Sequence, residues 1–138
     1  MIGRKHAEAW MEALRGGWVD GDSDAIGRLF TDDVTYRTSP FEEPLVGRDS
    51  VVTYWKDEME GTVRTEVAFS EPLIDGDRVA VEWWAVVSRD GAETTDSGGL
   101  ILEFSGNLCS QLHEYWMLRD GRMDLPENYR ILRGNASR

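Results

Sequence analysis

Residues 78–118, RVAVEWWAVVSRDGAETTDSGGLILEFSGNLCSQLHEYWML, decide the fold of this chain. Apolar and polar side chains alternate along much of this stretch, which is typical of strands that bury one face. Turn sequences at Asp75-Gly-Asp77, Asp90-Gly91 and Ser105-Gly-Asn107 separate the alternating runs. We therefore predict an antiparallel meander that twists and curves. Its long strands span about 63–73, 78–89, 93–104 and 108–118.

The last strand of this meander carries an unexpected charge. Its more apolar face contains the carboxylate Glu114, and the other members of that face are Leu108, Ser110, Leu112, Trp116 and Leu118. A carboxylate in the interior costs several kcal/mol unless it is hydrogen-bonded or protonated. We predict that Glu114 faces the interior, where it has a partner or a function, although a shift of register would turn it outward.

The opposite face of the same strand has a mixed character. It carries Cys109, Gln111, His113, Tyr115 and Met117. Across the sheet, Glu82 and Trp84 share this outer face, and we predict that the patch forms a homodimer interface. Because neighbours on a strand point to opposite faces, His113 is not expected to act together with Glu114.

Three helices are predicted before the meander, from apolar residues at intervals of three or four. They span about 4–18, a short segment that begins at Asp22 or Ser23 and runs to Phe30, and about 50–60. A short strand at 34–38 and a loop with two prolines separate the second helix from the third. The chain therefore predicts an α+β domain, with three N-terminal helices packed on a curved, mainly four-to-six-stranded antiparallel sheet.

Length and composition restrict the class of protein. The 138 residues fit one domain, 1–138, with a core at about 4–118 and a polar tail at 119–138. The net charge of −11 repels nucleic acid and anionic membranes, so we expect neither as a partner. The single cysteine, Cys109, and two scattered histidines show no metal-ligand spacing. We expect no metal, no cofactor and a cytoplasmic location.

Three segments of the chain resemble the nuclear transport factor 2-like superfamily, and most closely its SnoaL-like branch. They are Asp33-Val-Thr-Tyr-Arg-Thr-Ser-Pro40, Gly47-Arg-Asp-Ser-Val51 and His113-Glu-Tyr-Trp116. The resemblance implies a cone-shaped α+β fold with an interior cavity. That superfamily includes polyketide cyclases, ketosteroid isomerase, limonene epoxide hydrolase and many non-enzymatic binding proteins, so the fold alone does not fix a function.

Ketosteroid isomerase is the first enzyme with which the resemblance invites comparison. The positions of its catalytic base, its helix-one tyrosine and its acid hold Ser39, Leu14 and Leu100 in this sequence. Only Trp55 matches a pocket aromatic of that enzyme. Without a base to take the proton or donors to hold the oxyanion, the chain lacks the isomerase machinery.

The resemblance to limonene epoxide hydrolase is stronger in part. It implies that Tyr36, Thr38 and Glu114 stand where that enzyme holds its attacking water. The positions of its epoxide-protonating arginine and aspartate hold Trp83 and Ala85 here. The resemblance therefore implies a base and its positioning groups without a proton donor.

These observations lead to the hypothesis that Glu114, held by Tyr36 and Thr38, forms the polar end of a pocket for a small, largely apolar molecule. Glu114 and Tyr36 are the candidate catalytic residues. The candidate ligand-binding residues are Thr38, Leu14, Trp18, Trp55, Trp83, Leu100, Leu102, Leu112 and Trp116.

Two alternatives remain open. In the first, the protein is a hydrolase, isomerase or cyclase that uses Glu114 as a general base with a raised pKa. In the second, it is a non-catalytic dimeric scaffold whose aromatic residues merely fill the core. A cavity of a few hundred Å³ among the aromatic side chains distinguishes a binding site from a filled core.

Overall fold

The fold consists of three helices and seven strands in a computed structural model that describes residues 1–129. The helices are α1 (Arg4–Asp20), α2 (Ser23–Gly27) and α3 (Arg48–Met59). The strands are β1 (Phe30–Arg37), β2 (Leu45–Val46), β3 (Thr62–Phe69), β4 (Leu73–Asp75), β5 (Arg78–Arg89), β6 (Ala92–Ser105) and β7 (Leu108–Asp120). They form one sheet of order β2-β1-β7-β6-β5-β3, with β4 paired to β5. The predicted α+β fold is confirmed.

The first long strand of the prediction is two strands in the structure. β3 ends at Phe69 and β4 begins at Leu73. Pro72 lies between them and has no amide hydrogen to donate to a strand ladder. Ser70 links this break to β5 by two hydrogen bonds. Its amide donates to the carbonyl oxygen of Glu82, and its hydroxyl accepts from the amide of Glu82.

Strand β1 joins the sheet beside β7 in parallel, whereas every other strand pairing in the sheet of residues 1–129 is antiparallel. It begins at Phe30, which the sequence pattern had placed in the second helix. The register pairs Tyr36 with Leu112 and Arg37 with His113. This pairing brings Tyr36 within two residues of Glu114 along the neighbouring strand.

A bulge near the start of β7 changes which side chains face inward. Glu103 pairs with Gln111, but Phe104 pairs with Cys109, so Ser110 is an extra residue on β7. As a result Cys109 packs in the core, fully buried. The prediction that Cys109 faces outward is therefore wrong. After the bulge, Leu112 and Glu114 share the concave face with Leu102 and Leu100, their partners on β6.

The concave face of the sheet packs against the helices to form the core. Val79, Val81, Trp83 and Ala85 of β5 are all buried there, as the alternation predicted. Trp10 of α1 completes this layer: its ring packs edge-on against two phenylalanine rings, and its indole N–H donates to the carbonyl oxygen of Leu29 at 2.8 Å. Among residues 1–129, no helix has the length and apolarity that a membrane span requires.

The segment that follows β7 folds back over the convex face of the sheet. Arg122 forms ion pairs with Glu66, and the backbone of Met123 accepts a hydrogen bond from the indole of Trp84 at 3.0 Å. The side chain of Tyr129 is buried. Residues 119 and 120 belong to β7, and residues 121–129 cover part of the predicted dimer face. The rest of the predicted tail, 130–138, lies outside the described residues.

Gly98 allows β6 and β7 to approach closely beside the concave face. A Cβ atom at this position would overlap the carbonyl group of Tyr115 and lie 2.8 Å from the Cα of Trp116. A Cβ at the adjacent Gly99 would meet the carbonyl oxygen of Val81 at an ordinary 3.7 Å. Position 98 therefore excludes any side chain, and position 99 does not.

We predict that Gly98→Ala lowers the free energy of unfolding by roughly 1–3 kcal/mol, because the strands must separate to admit the methyl group. Gly99→Ala is the matched control on the same strand and should have a much smaller effect. Urea denaturation of both variants measures the difference. Equal losses at the two positions would contradict the close approach at Gly98.

Candidate functional site

A pocket of about 280 Å³ opens at one end of the cone, between α1, α3 and the strands β3, β5, β6 and β7. Four tryptophans line it: Trp18, Trp55, Trp83 and Trp116. Glu114 contributes a carboxyl group to the same wall. A larger and more open depression, about 870 Å³, lies on the convex side beside Leu73 and Asn128. We place the candidate site in the smaller pocket, because Glu114 does not line the larger one.

Tyr36 holds the carboxyl group of Glu114 at the wall of this pocket. The phenol is buried, and its hydroxyl donates a hydrogen bond of 3.0 Å to Oε1 of Glu114. Burial, followed by the negative charge of Glu114, raises the pKa of Tyr36 well above its ordinary value. The tyrosine therefore remains a neutral hydrogen-bond donor.

The environment of Glu114 favours the protonated carboxyl. The pKa of Glu114 is raised to about 7, mainly by burial and to a smaller extent by the negative charges of Glu58 and Asp96. The hydrogen bond from Tyr36 opposes it, because this bond stabilises the carboxylate. Glu114 consequently exchanges a proton near neutral pH, which is the range in which a general base is effective.

Asp96 is a second titrating carboxyl in the pocket. Its pKa is raised to about 6, first by burial and then by the charge of Glu58, against the lowering effect of Arg89. Its Oδ1 is buried and has no hydrogen-bond partner among the described residues. Arg89 is held at the rim, where its guanidinium donates to the carbonyl oxygen of Glu58 at 2.7 Å and to Oγ1 of Thr62 at 2.9 Å.

Three of the tryptophans pack together around the pocket. The ring centroids of Trp18 and Trp55 are 5.1 Å apart and those of Trp18 and Trp83 are 5.5 Å apart. Trp83 is only 3% exposed, yet its indole N–H has no hydrogen-bond partner in residues 1–129. A buried donor without a partner is uncommon in folded proteins, and a bound ligand would satisfy it.

Four leucines that were predicted as pocket walls lie elsewhere. Leu14, Leu100, Leu102 and Leu112 are buried in the hydrophobic core and do not line the pocket. The sheet register explains the difference. Leu100 is opposite Glu114, and Leu102 is opposite Leu112 one row further from the mouth. The leucines of these rows are covered by packed side chains, whereas Glu114 reaches the pocket.

Two other predicted positions have roles that differ from the hypothesis. Thr38 does not line the pocket, and within residues 1–129 its side chain makes no hydrogen bond to Glu114. Its backbone carbonyl accepts a hydrogen bond from the indole of Trp116 at 2.9 Å. Trp116 lines the pocket but is 50% exposed, so it forms part of the mouth instead of the interior.

Sequence reasoning missed ten of the residues that line the pocket, and four of these are titratable: Tyr54, Glu58, Arg89 and Asp96. A signal existed for two of them. Asp96 is four residues before Leu100, so strand alternation places both on the concave face. Glu58 is four residues after Tyr54, on the same side of α3. In the described part of the chain, no three His, Cys, Asp or Glu side chains converge to form a metal site.

Comparison with known proteins identifies the family. The model of the SnoaL-like domain matches residues 7–122, and the chain belongs to this family. No curated protein gives a significant match. The predicted membership of the nuclear transport factor 2-like superfamily and its SnoaL-like branch is confirmed.

Several solved structures share the fold at low sequence identity. One is a protein of ketosteroid isomerase-like fold from Catenulispora acidiphila DSM 44928, in complex with trimethylamine, with 19% identity, TM-score 0.69 and coverage of 77% of this chain and 83% of that chain. Another is an LEH-like epoxide hydrolase of Mycobacterium tuberculosis, with 19% identity, TM-score 0.69 and coverage of 83% and 84%. A third is a computationally designed 17-OHP binder, with 21% identity, TM-score 0.69 and coverage of 81% and 95%. At these identities the likeness concerns the fold.

We predict that Glu114→Gln removes a pH-dependent loss of stability. The pKa of Glu114 is about 7 in the folded protein and 4.5 in the unfolded chain. The protonated carboxyl therefore stabilises the fold fully below pH 4.5, and this stabilisation is lost as the pH rises through about 7. Relative to the wild type, Glu114→Gln should therefore gain about 2–3 kcal/mol in the free energy of unfolding between about pH 4.5 and 7.5.

Urea denaturation across this pH range measures the gain. Glu60→Gln makes the same charge change on an exposed side chain at the end of α3 and serves as the control. A constant difference between Glu114→Gln and the wild type at all pH values would contradict the raised pKa.

Proposed function

We propose that this SnoaL-like domain binds a small, largely apolar molecule in the aromatic pocket, with the carboxyl group of Glu114 as its polar contact. The observation that carries the proposal is the Tyr36–Glu114 hydrogen bond at the wall of a pocket lined by tryptophans. Small-molecule sites typically combine apolar walls with a few placed polar groups.

The volume of the pocket favours binding over the scaffold alternative. A filled core needs no cavity, whereas a pocket of about 280 Å³ accommodates a molecule of a few to about fifteen heavy atoms. The unsatisfied indole N–H of Trp83 supports the same conclusion, since a ligand acceptor would pair with it. The complex of the Catenulispora protein with trimethylamine supports the view that this fold takes up a small molecule.

Catalysis by Glu114 is the second candidate function. Its pKa of about 7 suits a general base that activates water or abstracts a proton. Tyr54 also lines the pocket, and burial raises its pKa, so it is available as a neutral phenol that donates to a developing oxyanion. If the protein is an enzyme, Glu114→Gln abolishes turnover even at substrate concentrations that saturate the pocket; retained turnover would exclude Glu114 as the base.

A homodimer through the convex face of the sheet remains part of the proposal. Tyr115 is 45% exposed there, and Leu73 and Met117 are exposed on the same side. Residues 121–129 cover Trp84, so the contact surface would lie around Tyr115 and not around Trp84. A monomeric mass in light scattering would contradict this assembly.

We also propose a cytoplasmic location, without nucleic acid or a membrane as partner. Cys109 is a buried free thiol, which suits a reducing compartment. The net charge of −11 opposes binding to phosphate-rich surfaces.

We predict that neutral fragments such as benzyl alcohol bind beside the tryptophans of the pocket. In ¹⁵N-labelled protein, the indole signals of Trp18, Trp55 and Trp83 should shift on titration. Trp10, whose indole N–H is bonded within the core, should not shift and is an internal control.

A pocket-filling variant makes this test specific. Val87 lines the pocket, and Val87→Phe should weaken fragment binding about tenfold by occupying the space. Val63→Phe adds the same ring at an exposed position and should leave the affinity unchanged. Unaltered affinity in Val87→Phe, or a shift of Trp10 as large as those of the pocket tryptophans, would refute binding at this site.

A further inference from the structure

The pocket is more acidic than a site for neutral molecules requires. Carboxyl groups reach it from three elements: Glu58 from α3, Asp96 from β6 and Glu114 from β7. Arg89 of β5 is the one basic side chain among its described lining residues. Fully ionised, the lining therefore carries two more negative than positive charges.

The described residues leave this acidity largely uncompensated. Arg89 is exposed and directs its guanidinium to the carbonyl oxygen of Glu58 and the hydroxyl of Thr62. No ion pair within residues 1–129 involves Glu58, Asp96 or Glu114. The remaining titratable neighbours of Glu114, Tyr36 from β1 and Tyr54 from α3, are neutral phenols.

Aromatic rings line the same space as these carboxyl groups. Trp55 and Trp83 each pack against Trp18, and Trp116 lies at the mouth. The indole ring attracts cations more strongly than the other aromatic side chains, and a carboxylate nearby adds direct Coulomb attraction. Aromatic walls combined with uncompensated carboxylates are the elements of a site for an organic cation.

Within residues 1–129, three buried polar atoms of the lining have no hydrogen-bond partner: the indole nitrogens of Trp55 and Trp83 and Oδ1 of Asp96. The last two define the ligand more closely. Oδ1 of Asp96 is an acceptor without a partner, and the indole N–H of Trp83 is a donor without a partner, within the part of the chain that the structure describes. Trp83 is more than nine-tenths buried, so its N–H is shielded from bulk water. A ligand that satisfies both carries a positive charge or donor toward Asp96 and an oxygen acceptor toward Trp83.

We propose that the ligand of this pocket is a small organic cation, an amine or quaternary ammonium compound with an apolar body and an oxygen acceptor. This inference rests on the proposed function, because it specifies the ligand of the same pocket. Glu58, Asp96 and Glu114 supply the negative potential, the tryptophans contact the cation and its apolar groups, and Trp83 donates to the oxygen.

Choline and 3,3-dimethylbutan-1-ol test the proposal directly. They share shape and hydroxyl group, and differ in the charge on the central atom. At pH 8, titration calorimetry should give about tenfold tighter binding of choline. At pH 5 the preference should shrink, because Asp96 and Glu114 gain protons while the charge of choline is constant.

Variants then assign the preference to the pocket. Asp96→Asn and Glu58→Gln should each reduce the affinity for choline and leave that for the alcohol unchanged. Asp57→Asn is the control: Asp57 is exposed on α3, as Glu58 is, but it does not line the pocket. An equal loss in Asp57→Asn would show a long-range charge effect and overturn the assignment to the pocket.

The two proposals fail in different ways. If the alcohol binds at pH 8 as tightly as choline, the cation inference is overturned, while the proposed pocket for small molecules is supported. If neither compound binds and benzyl alcohol leaves the pocket tryptophans unshifted, both proposals are overturned. Binding of choline alone, with loss in Asp96→Asn, supports both.

Discussion

The hydrogen bond between Tyr36 and Glu114 is the interaction on which the rest of the site depends. It joins β1 to β7 at the row where the sheet changes from packed core to open pocket. A carboxyl group in that row would be costly without a partner, and the buried phenol provides one. Because Tyr36 stays neutral, it supports the carboxylate without adding a charge. Glu114 is thereby kept at the pocket wall in a form that exchanges its proton near neutral pH.

The shape of the sheet determines which groups share this space. The bulge at Ser110 moves Cys109 into the core and leaves Leu112 and Glu114 in phase with β6. Gly98 pairs with Trp83 on one side and Trp116 on the other, and its lack of a side chain lets β6 and β7 approach closely. The aromatic side chains therefore gather at the mouth of the cone, and Asp96 and Glu58 lie among them. The site is therefore acidic as well as aromatic, whereas the sequence predicted Glu114 as its single polar end.

Local patterns in the sequence were sufficient for α1, α3, β5, β6 and the inward orientation of Glu114, but they extended α2 to Phe30, which begins β1. They failed where structure depends on contacts between distant residues. A bulge leaves no mark in a simple alternation, so Cys109 was assigned to the wrong face. Residues 121–129 return over the convex face, where Arg122 forms an ion pair with Glu66. These two residues are far apart in sequence. Leu14, Leu100, Leu102 and Leu112 face inward as expected, but alternation does not indicate how deep the packed core extends. Asp96 could have been found by extending the inner face of β6 beyond Leu100.

Burial and the hydrogen bond from Tyr36 hold Glu114 as a proton-exchanging group in the pocket. The most direct measurement is a ¹³C NMR titration of its side-chain carboxyl, in the wild type and in Tyr36→Phe. The structure predicts a midpoint near pH 7 in the wild type, and a higher midpoint in Tyr36→Phe because the stabilising hydrogen bond is lost. A wild-type midpoint near the ordinary 4.5, unchanged in Tyr36→Phe, would contradict the account.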